Sequence, residues 1–369
     1  MHILVTGGAG FIGSFLVDAL IERGETVRIL DNLDPQVHPK GNPSYLNASA
    51  EFIEGDVRDL ATVQKALQGI DTVFHCASAV GVAQSQYEIK RYTDVNVGGT
   101  ANLLQAIIEK GSTVKKILLP TSMTSYGEGC YACSTHGIVR PWLRGEEQLQ
   151  KHDWQLHCPV CDAELKPVPT PESAELSSGT IYALSKNMQE DMVMNIARTY
   201  GIAATALRLF NVYGPRQSLS NPYTGVTAIF LSRLKNNQQP VVYEDGLQSR
   251  DFISVHDVVR AFLLALDSDN AASEVCNIGS GSMTSIAAIA RTLAEVTGST
   301  LEPKITGEFR KNDVRHCFAD ITKAKTLLGW EPQVSFEAGM RELAAWSEHE
   351  TAEDHFEAAT EQLKKHHLA

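Results

Sequence analysis

A tyrosine and a lysine four residues apart, Tyr182 and Lys186 in the run IYALSK, could together remove a proton from a substrate hydroxyl. The apolar spacing from Ile181 to about Tyr200 predicts a helix, and residues four apart project from one face of a helix. A phenol with an ordinary pKa of about 10 is a poor base at neutral pH, but a nearby ammonium and a positively charged nicotinamide ring would lower that pKa. The pair is a candidate hydride-transfer site, although this spacing also occurs by chance in helices.

Hydroxyl side chains crowd the end of a strand predicted at 116–119, in the run PTSMTSYG that starts at Pro120. In an open parallel sheet, ligands bind beyond the carboxyl ends of the strands. A serine hydroxyl at this strand end could therefore orient a substrate hydroxyl toward Tyr182. The two features together favour hydride transfer more strongly than the tyrosine and lysine alone.

A glycine-rich turn, GGAGFIG at 7–13, follows a predicted strand at 2–6 and precedes a predicted helix, and the next strand ends in Asp31. The first glycine allows a sharp turn, the second lets the backbone approach a pyrophosphate, and the third lets helix and strand pack closely. The helix N-terminus attracts the phosphates, and Asp31 can accept hydrogen bonds from the adenosine ribose. Because a carboxylate repels a 2′-phosphate and no arginine occurs at 32–34, this βαβ unit predicts NAD rather than NADP.

Four of the seven cysteines form two CxxC pairs, Cys130 with Cys133 and Cys158 with Cys161. In a cytosolic chain such pairs are typical of metal ligands rather than disulfides, and their spacing fits a tetrahedral four-thiolate zinc ribbon. Four thiolates leave no open position, so a structural zinc ion is expected and His136, in the same segment, is expected at the surface. Free thiols or a degenerate ribbon remain the alternative.

Length, composition and charge narrow the class of protein. A chain of 369 residues is long enough for about two domains, and its alternating strands and helices predict an α/β fold with a doubly wound parallel sheet. The first predicted strand starts at residue 2 and no run of about eighteen apolar residues occurs, so we expect no signal peptide, no membrane span and a cytoplasmic location. The net charge of −12, with dispersed acids, disfavours nucleic acid as a partner.

Nine motifs together resemble the extended short-chain dehydrogenase/reductase family, specifically its nucleotide-sugar epimerases and dehydratases. The resemblance covers nearly the whole chain apart from one insertion, which carries the CxxC pairs. The motifs are TGGAGFIG from Thr6, DN at Asp31, GDVRD at Gly55, HCAS at His75, NVGGT at Asn96, TSMTSYG at Thr121, YALSK at Tyr182, RLFNVYGPRQ from Arg208 and RDFISVHDV from Arg250.

The expected domain organisation has three parts. A Rossmann domain spans 1–209 and contains the four-cysteine insertion at 128–168. A smaller domain at 210–346 mainly binds substrate, with Val275 to Ile278 returning to the main sheet. Residues 347–369 are rich in Glu, Lys and His, which predicts a solvated helix or a frayed tail.

The resemblance also implies site residues at the matching positions. The implied catalytic set is Ser122, Tyr182 and Lys186. The implied NAD contacts are Gly7, Gly10, Phe11, Ile12, Gly13, Asp31, Asn32, Asp56, Val57, Ala77, Asn96, Tyr182 and Lys186. The implied substrate contacts are Ser122, Asn211, Arg250, Asp313 and Arg315, whose two arginines would pair with a sugar-nucleotide pyrophosphate. From its place in a helix interior, Asn96 could instead be a buried residue that holds a neighbouring loop, although a solvent-facing asparagine would look the same in sequence.

Within this family the resemblance favours 4-epimerisation. Sugar 4,6-dehydratases carry an Asp-Glu pair after the catalytic hydroxyl residue, where this chain has Met123 and Thr124, and the neighbouring glutamate of the sugar-acid decarboxylases is missing too. Tyr182 would take the C4 hydroxyl proton as hydride passes to NAD, and the 4-keto sugar would turn over and accept the hydride on its other face. The alternatives are a dehydratase, a 4-ketosugar reductase, a UDP-glucose/UDP-GlcNAc-type 4-epimerase, or a non-enzymatic NAD sensor that docks a partner through the insertion.

The insertion and the resemblance to the family also lead to expectations about the substrate and the oligomeric state. A similar insertion occurs in sequences assigned as dTDP-L-rhamnose 4-epimerases, which favours a dTDP-6-deoxysugar such as dTDP-L-rhamnose as substrate. Galactose-type epimerases often have a lysine where this chain has Val80, which argues against galactose. The insertion could cap the sugar pocket or form a subunit interface. Family members are commonly dimers through the helices that here contain Asn102 and Asn187, so a homodimer is expected.

Overall fold

Strands and helices alternate through the first half of the chain in the computed structural model, which describes residues 1–368. The strands are β1 (His2–Thr6), β2 (Thr26–Asp31), β3 (Glu51–Glu54), β4 (Thr72–His75), β5 (Lys116–Ser122), β6 (Cys130–Cys133), β7 (Gly137–Val139), β8 (Lys166–Val168), β9 (Ala203–Leu209), β10 (Asn211–Tyr213), β11 (Val241–Val242), β12 (Ser249–Arg250), β13 (Phe252–Ser254), β14 (Glu274–Ile278), β15 (Thr284–Ser285), β16 (Lys304–Ile305) and β17 (His316–Cys317). The helices are α1 (Phe11–Glu22), α2 (Leu60–Ala66), α3 (Ile89–Tyr92), α4 (Gly99–Ile108), α5 (Glu146–Gln150), α6 (Ile181–Tyr200), α7 (Val226–Lys235), α8 (Val255–Asp267), α9 (Ile286–Val296), α10 (Thr322–Leu328), α11 (Phe336–Glu348) and α12 (Phe356–Lys365).

Seven parallel strands form the central sheet, in the order β14-β9-β5-β4-β1-β2-β3. On β1, Ile3 and Val5 belong to the core on one face and Leu4 belongs to the core on the other. Successive strand residues point to opposite faces, so an uninterrupted apolar run forms a strand that is covered by helices on both sides. The doubly wound parallel sheet is confirmed.

The second domain packs around its own apolar core, to which α7, α9 and α11 contribute. Strand β14 pairs in parallel with β9, so the chain returns to the main sheet at Glu274–Ile278. None of the described helices combines the length and the apolar character that a bilayer crossing requires.

The C-terminal segment corrects the expectation of a solvated or frayed tail. Helix α12 buries Phe356, Ala359 and Leu363, a stripe with the spacing of one helix face. Glu and Lys residues occupy the remaining faces, which is why the segment looks polar in sequence. The described part of the tail is a packed amphipathic helix.

The insertion forms a small antiparallel sheet with the strand order β7-β6-β8. Tyr131, Leu156 and Leu165 form a separate apolar cluster inside it, together with two of its cysteines. The insertion therefore has a core of its own beside the main sheet.

Candidate active site

A cavity of about 630 Å³ lies beyond the carboxyl ends of the central strands, between the two domains. Of the residues implied above, the following line it: Gly7, Gly10, Phe11, Ile12, Gly13, Asp31, Asn32, Asp56, Val57, Ala77, Ser122, Tyr182, Lys186, Asn211, Arg250 and Asp313. Two of the implied residues, Asn96 and Arg315, are not among its lining residues.

The glycine turn between β1 and α1 leaves room for a ligand at its middle position only. Gly7 has a φ of +68°, and a Cβ there would lie 2.7 Å from the backbone nitrogen of Ala77. A Cβ on Gly13 would lie 2.2 Å from the Gly7 carbonyl oxygen, whereas one on Gly10 would meet only that oxygen, at 3.3 Å. No acidic residue lies in the first turn of α1 and no side chain caps it. The helix start is thus free to receive an anion.

Two carboxylates shape the next part of the cleft. The Asp31 carboxylate accepts hydrogen bonds from the backbone N–H groups of Ala9 (3.0 Å) and Leu33 (2.9 Å). Partial burial raises the pKa of Asp56, but the hydrogen bonds from Arg58 and then from Asn32 outweigh this effect and lower it to about 2. The Asp56 side chain is therefore ionised and held in a fixed position at neutral pH.

Asn96 lies in a π-helical turn, Thr93–Gly98, and is fully buried. Its Oδ1 accepts hydrogen bonds from Ser78 Oγ (3.0 Å) and the Ala79 N–H (2.7 Å), and its Nδ2 donates to Ser185 Oγ (2.9 Å) and to the Ala79 carbonyl. Both polar atoms of the Asn96 amide are occupied by these hydrogen bonds, and Asn96 is not among the residues that line the cavity. The implied cofactor contact is corrected to a residue that holds the Ala77–Ala79 loop against α6.

Helix α6 carries the tyrosine and lysine into the cavity. Thr180 caps the helix by accepting the Ala183 N–H, and Ser85 Oγ accepts the Tyr182 N–H at 3.0 Å. Ser122, at the end of β5, lies near enough to the Tyr182 phenol to lower its pKa, against the larger effect of burial. Strand β5 pairs with β9 along its whole length, which holds Ser122 in place.

The ionisation of the pair differs from the expectation for a cofactor-bound site. Burial raises the pKa of Tyr182 to about 12, and only the neighbouring Ser122 opposes this shift. Burial lowers the pKa of Lys186 to about 8, although Cys76 and Glu190 oppose the shift. The Lys186 ammonium makes no hydrogen bond to any described residue, and the protein chain alone does not lower the pKa of Tyr182.

Two supporting residues were not singled out as site residues in the sequence. The Thr124 hydroxyl donates to Ser122 Oγ at 2.9 Å. His75 is buried between Thr6 (2.7 Å) and Thr100 (3.0 Å), and burial lowers its pKa to about 3. Thr124 could have been identified from the hydroxyl-rich run after β5. His75 could not, because its contacts are with Thr6 and Thr100, which are far from it in sequence.

The substrate-domain side of the cavity contains an arginine and an aspartate that contact each other. Arg250 Nη2 donates to Asp313 Oδ1 at 2.8 Å, and Asn211 has a buried Oδ1 without a hydrogen-bond partner among the described residues. Arg310 also lines the cavity, stacks on the Tyr243 ring at 4.4 Å and has a buried Nε without a described partner. Arg310 has the free donor that a phosphate group requires.

Arg315 is a structural residue, contrary to the implied pyrophosphate contact. It is fully buried, and its guanidinium pairs with Glu244 (2.8 Å) and Asp245 (2.7 Å). Arg144, from the insertion, pairs with the same Glu244 at 2.9 Å and donates to the Asp313 carbonyl at 3.1 Å. These buried ion pairs join the insertion to the substrate domain.

The insertion also reaches the cavity. Leu143 lines the cavity and packs on Gly179, where a Cβ would lie only 2.6 Å from the leucine Cδ1. Gly179 precedes the N-cap of the helix that carries Tyr182. The insertion therefore provides one apolar wall next to the tyrosine.

A cluster of metal-ligating atoms lies in the insertion, formed by Cys133, His136, Cys158 and Cys161. Their ligand atoms lie within 4.8 Å of one another, and the sulfur of Cys133 is 3.6 Å from that of Cys161 and 3.5 Å from His136 Nδ1. Zinc bonds of about 2.3 Å to sulfur and about 2.0 Å to nitrogen imply edges of about 3.8 and 3.5 Å in a tetrahedron. The four atoms have the spacing of a zinc shell.

Cys130 lies outside this cluster, which corrects the four-cysteine set. Cys130 and Cys133 are both on β6, and side chains three apart on a strand point to opposite faces. The Cys130 side chain lies beside Arg140 and Thr170 instead. His136 is exposed, as expected, and its Nδ1 is the fourth ligand-type atom of the cluster.

Comparisons with known proteins agree with this geometry. Residues 3–140 match the NAD dependent epimerase/dehydratase family and residues 164–343 match the GDP-mannose 4,6 dehydratase family. A dTDP-L-rhamnose 4-epimerase from Burkholderia thailandensis is 38% identical over 93% of this chain and 94% of its own length. A putative UDP-glucose 4-epimerase from Methanocaldococcus jannaschii is 33% identical over 93% of this chain and 97% of its own. The crystal structure of the Thermotoga maritima UDP-glucose 4-epimerase with UDP-glucose superposes with a TM-score of 0.78 at 35% identity, covering 94% of this chain and 99% of that one.

Proposed function

This chain belongs to the NAD-dependent epimerase/dehydratase family, and we propose that it is a nucleotide-sugar 4-epimerase. The observation that carries the proposal is that Ser122, Tyr182 and Lys186 line one cavity together with the glycine turn, with Lys186 one helical turn after Tyr182 on α6. This arrangement can move a proton at a sugar hydroxyl beside a bound dinucleotide.

The residues that would hold NAD fit that group. The space beside Gly10 accepts a pyrophosphate, the Asp31 carboxylate suits a ribose with free hydroxyls, and Lys186 has donors free for the second ribose. The remaining contacts would come from Gly7, Phe11, Ile12, Gly13, Asn32, Asp56, Val57 and Ala77, which line the same part of the cavity. When bound, NAD takes a hydride from the substrate carbon and returns it.

The protein's own residues handle the proton. Tyr182 accepts the proton of the C4 hydroxyl and returns it after the 4-keto sugar has turned over. The Ser122 oxygen accepts hydrogen bonds from Thr124, so the Ser122 proton is directed toward the phenol or the substrate oxygen. The positively charged Lys186 and nicotinamide favour the Tyr182 phenolate, which burial alone disfavours.

The dehydratase alternative lacks the groups that it needs. Elimination of water requires an acid and a base near C5 and C6. The two positions after Ser122 hold neither an acid nor a base. Met123 is buried and apolar, and the Thr124 hydroxyl donates a hydrogen bond to Ser122. The other alternative is a 4-ketosugar reductase. It differs from an epimerase in consuming one NADH for each sugar converted, so a test of NADH consumption separates the two.

The cavity next to Tyr182 suits a sugar that is uncharged and partly apolar. The lining includes the apolar side chains of Val80, Met123 and Leu143, and Thr180, whose hydroxyl carries no positive charge to pair with a sugar carboxylate. Leaving a carboxylate without a partner in such a site is costly, whereas a methyl group is stabilised by apolar contact. We therefore place a dTDP-6-deoxysugar such as dTDP-L-rhamnose, the sugar named for the Burkholderia relative, ahead of UDP-glucose and UDP-GlcNAc.

For the diphosphate of the substrate, we assign Arg250 and Arg310 as the phosphate-binding residues. Both line the cavity, and Asp313 orients Arg250. A planar guanidinium can bind phosphate oxygens through two parallel hydrogen bonds. The Asn211 amide oxygen, which has no described partner, is then available for a hydroxyl or amide of the substrate.

We further propose that Cys133, His136, Cys158 and Cys161 bind a structural zinc ion. The ion would hold the insertion in shape, so that Leu143 keeps its place in the cavity wall. None of the seven cysteines forms a disulfide in the described chain, which supports a reducing compartment such as the cytoplasm.

A homodimer through α4 and α6 is also part of the proposal. These helices leave Leu184 and Met188 about half exposed, and a groove between them is lined by apolar residues such as Leu104 and Ile108. Burial of this surface by a second copy would stabilise the pair.

The function is tested by incubating the purified protein, without added cofactor, with UDP-, dTDP- and GDP-sugars and following the C4 configuration by NMR. Catalytic interconversion of a pair of C4 epimers is expected, most rapidly for a dTDP-6-deoxysugar. Conversion only when NADH is supplied and consumed would replace the epimerase with a reductase.

A further inference from the structure

The C-terminal segment reaches the cavity. Phe356, Ala359, Thr360 and Leu363 of α12, together with Leu368, line it. None of these positions belongs to a motif that carries the family resemblance.

Several contacts attach the segment to the substrate domain. Arg233, on α7, pairs with Asp354 (3.1 Å) and Glu357 (2.9 Å), and its guanidinium lies 4.6 Å from the centre of the Phe356 ring. At the other end, the Leu368 carbonyl accepts the Lys311 N–H at 3.2 Å. Lys311 follows Arg310, the proposed diphosphate contact. The segment therefore ends beside the phosphate-binding part of the cavity.

One contact crosses to the dinucleotide-binding domain. The His366 ring stacks on Tyr87, with ring centres 4.6 Å apart and planes within 2° of parallel. The Tyr87 hydroxyl hydrogen-bonds with the hydroxyl of Tyr223, from the substrate domain, at 2.6 Å. Tyr87 directly follows Ser85 and Gln86, which hold the first N–H groups of α6. The C-terminal segment thus lines the cavity and is attached to residues of both domains.

We propose that the C-terminal segment from Phe356 to Leu368 is a wall of the nucleotide-sugar site, packed against the nucleoside diphosphate end of the substrate and held in place by the His366–Tyr87 stack. This inference rests on the proposed function. The apolar face of α12 would cover the nucleoside, and its attachment beside Arg310 would exclude water from the diphosphate. Both effects strengthen binding of the nucleotide without taking part in the chemistry at C4.

The test measures binding of dTDP and UDP by titration calorimetry, so that it does not depend on turnover. The variants are a chain ending at His355, His366→Ala, Tyr87→Ala and the double substitution. Lys364→Ala is the matched control, since Lys364 is exposed on the same helix and its ammonium pairs with no described residue. Bound NAD, released and quantified, reports whether each variant keeps its fold.

For the nucleotide that binds the intact protein more tightly, we expect the truncation to raise Kd by at least about tenfold, because an apolar wall is lost. Loss of one aromatic stack is worth about 0.5–1.5 kcal/mol, so His366→Ala should raise Kd by about two- to tenfold. Adding His366→Ala to Tyr87→Ala should change nothing further, and Lys364→Ala should bind like the intact protein.

Three results would overturn the proposal. Unchanged Kd values in the point variants would show that the stack does not support the site, even if the truncated chain failed to fold. A lower Kd after truncation would show that the tail obstructs the site. Failure of the intact protein to bind either nucleotide would reject a dTDP- or UDP-sugar as the substrate, and the wall proposed for it.

Discussion

Tyr182 and Ser122 line the same cavity, close enough for Ser122 to lower the pKa of the Tyr182 phenol, although one residue lies in the first turn of α6 and the other ends β5. The strand pairing fixes the serine, and the helix cap with the Ser85 contact fixes the tyrosine. The residues that would exchange a proton with the substrate are therefore held by backbone structure before any ligand binds, which is the preorganisation that proton transfer requires.

Tyr182→Phe removes the proposed proton acceptor and preserves the ring. Because general base catalysis is worth about 10²–10⁴-fold, kcat for epimerisation should fall by at least about 100-fold. Bound NAD should be unchanged, since the rest of the cofactor cleft is intact. Tyr200→Phe, at the exposed end of the same helix, is the control and should retain full activity. A kcat of Tyr182→Phe within tenfold of the parent would contradict the role.

The pH dependence of stability should contain a contribution from His75. Its pKa is lowered from 6.5 to about 3 by burial, so the unfolded chain binds a proton between these values and the folded chain does not. Stability is therefore lost as pH falls below about 6.5, by up to about 1.4 kcal/mol per pH unit from this group.

His75→Gln should remove that contribution. Chemical denaturation of both proteins from pH 7.5 to 4.5 measures it as the difference between the two slopes. Although the variant should be less stable at neutral pH, its stability should fall less steeply with acid. Parallel curves would show that His75 is protonated in the folded protein.

Metal content should distinguish the corrected ligand set from the four-cysteine set. Elemental analysis of the purified protein should find stoichiometric zinc. His136→Ala and Cys161→Ser should lose much of it, because each removes one of four ligands. Cys130→Ser is the matched control and should keep its zinc. Loss of zinc from Cys130→Ser, with retention of zinc in His136→Ala, would support the four-cysteine ligand set predicted from the sequence.

Arg310 and Arg315 should give opposite results. Arg310→Ala should raise the Kd for a nucleoside diphosphate by about tenfold or more, with little change in stability, since a charged hydrogen bond to phosphate is lost. Arg315→Ala should lower the free energy of unfolding by about 3–5 kcal/mol, because Glu244 and Asp245 are left without their partner. If both substitutions weakened nucleotide binding equally, Arg315 would be a substrate contact, as the family resemblance implied, and not only a structural residue.

The parts of the site that could be predicted from sequence are those in which a local pattern determines the geometry. The glycine turn, the strand end at Ser122 and the helical spacing of Tyr182 and Lys186 are of this kind. Their contacts with each other follow from the parallel sheet, which brings the strand ends to one edge.

The errors arose where the geometry depends on strand alternation or on distant residues. The two-residue period of β6 separates Cys130 from Cys133, although a CxxC motif usually brings its thiols together. Arg315 is buried because Glu244 and Asp245, about seventy residues earlier, pack against it. The apolar stripe of α12 is visible in the sequence, but its burial depends on residues far away in the chain, such as Arg233, which lies over the Phe356 ring.

The most direct test of the account is to let the protein convert a dTDP-6-deoxysugar in D₂O, without added NAD or NADH, and to examine C4 by NMR. If one bound NAD takes the C4 hydride and returns it to the other face, the C4 epimer should form with protium retained at C4. Formation of the epimer with solvent deuterium at C4, or no interconversion by protein that contains bound NAD, would contradict a 4-epimerase that works through a transient 4-keto sugar.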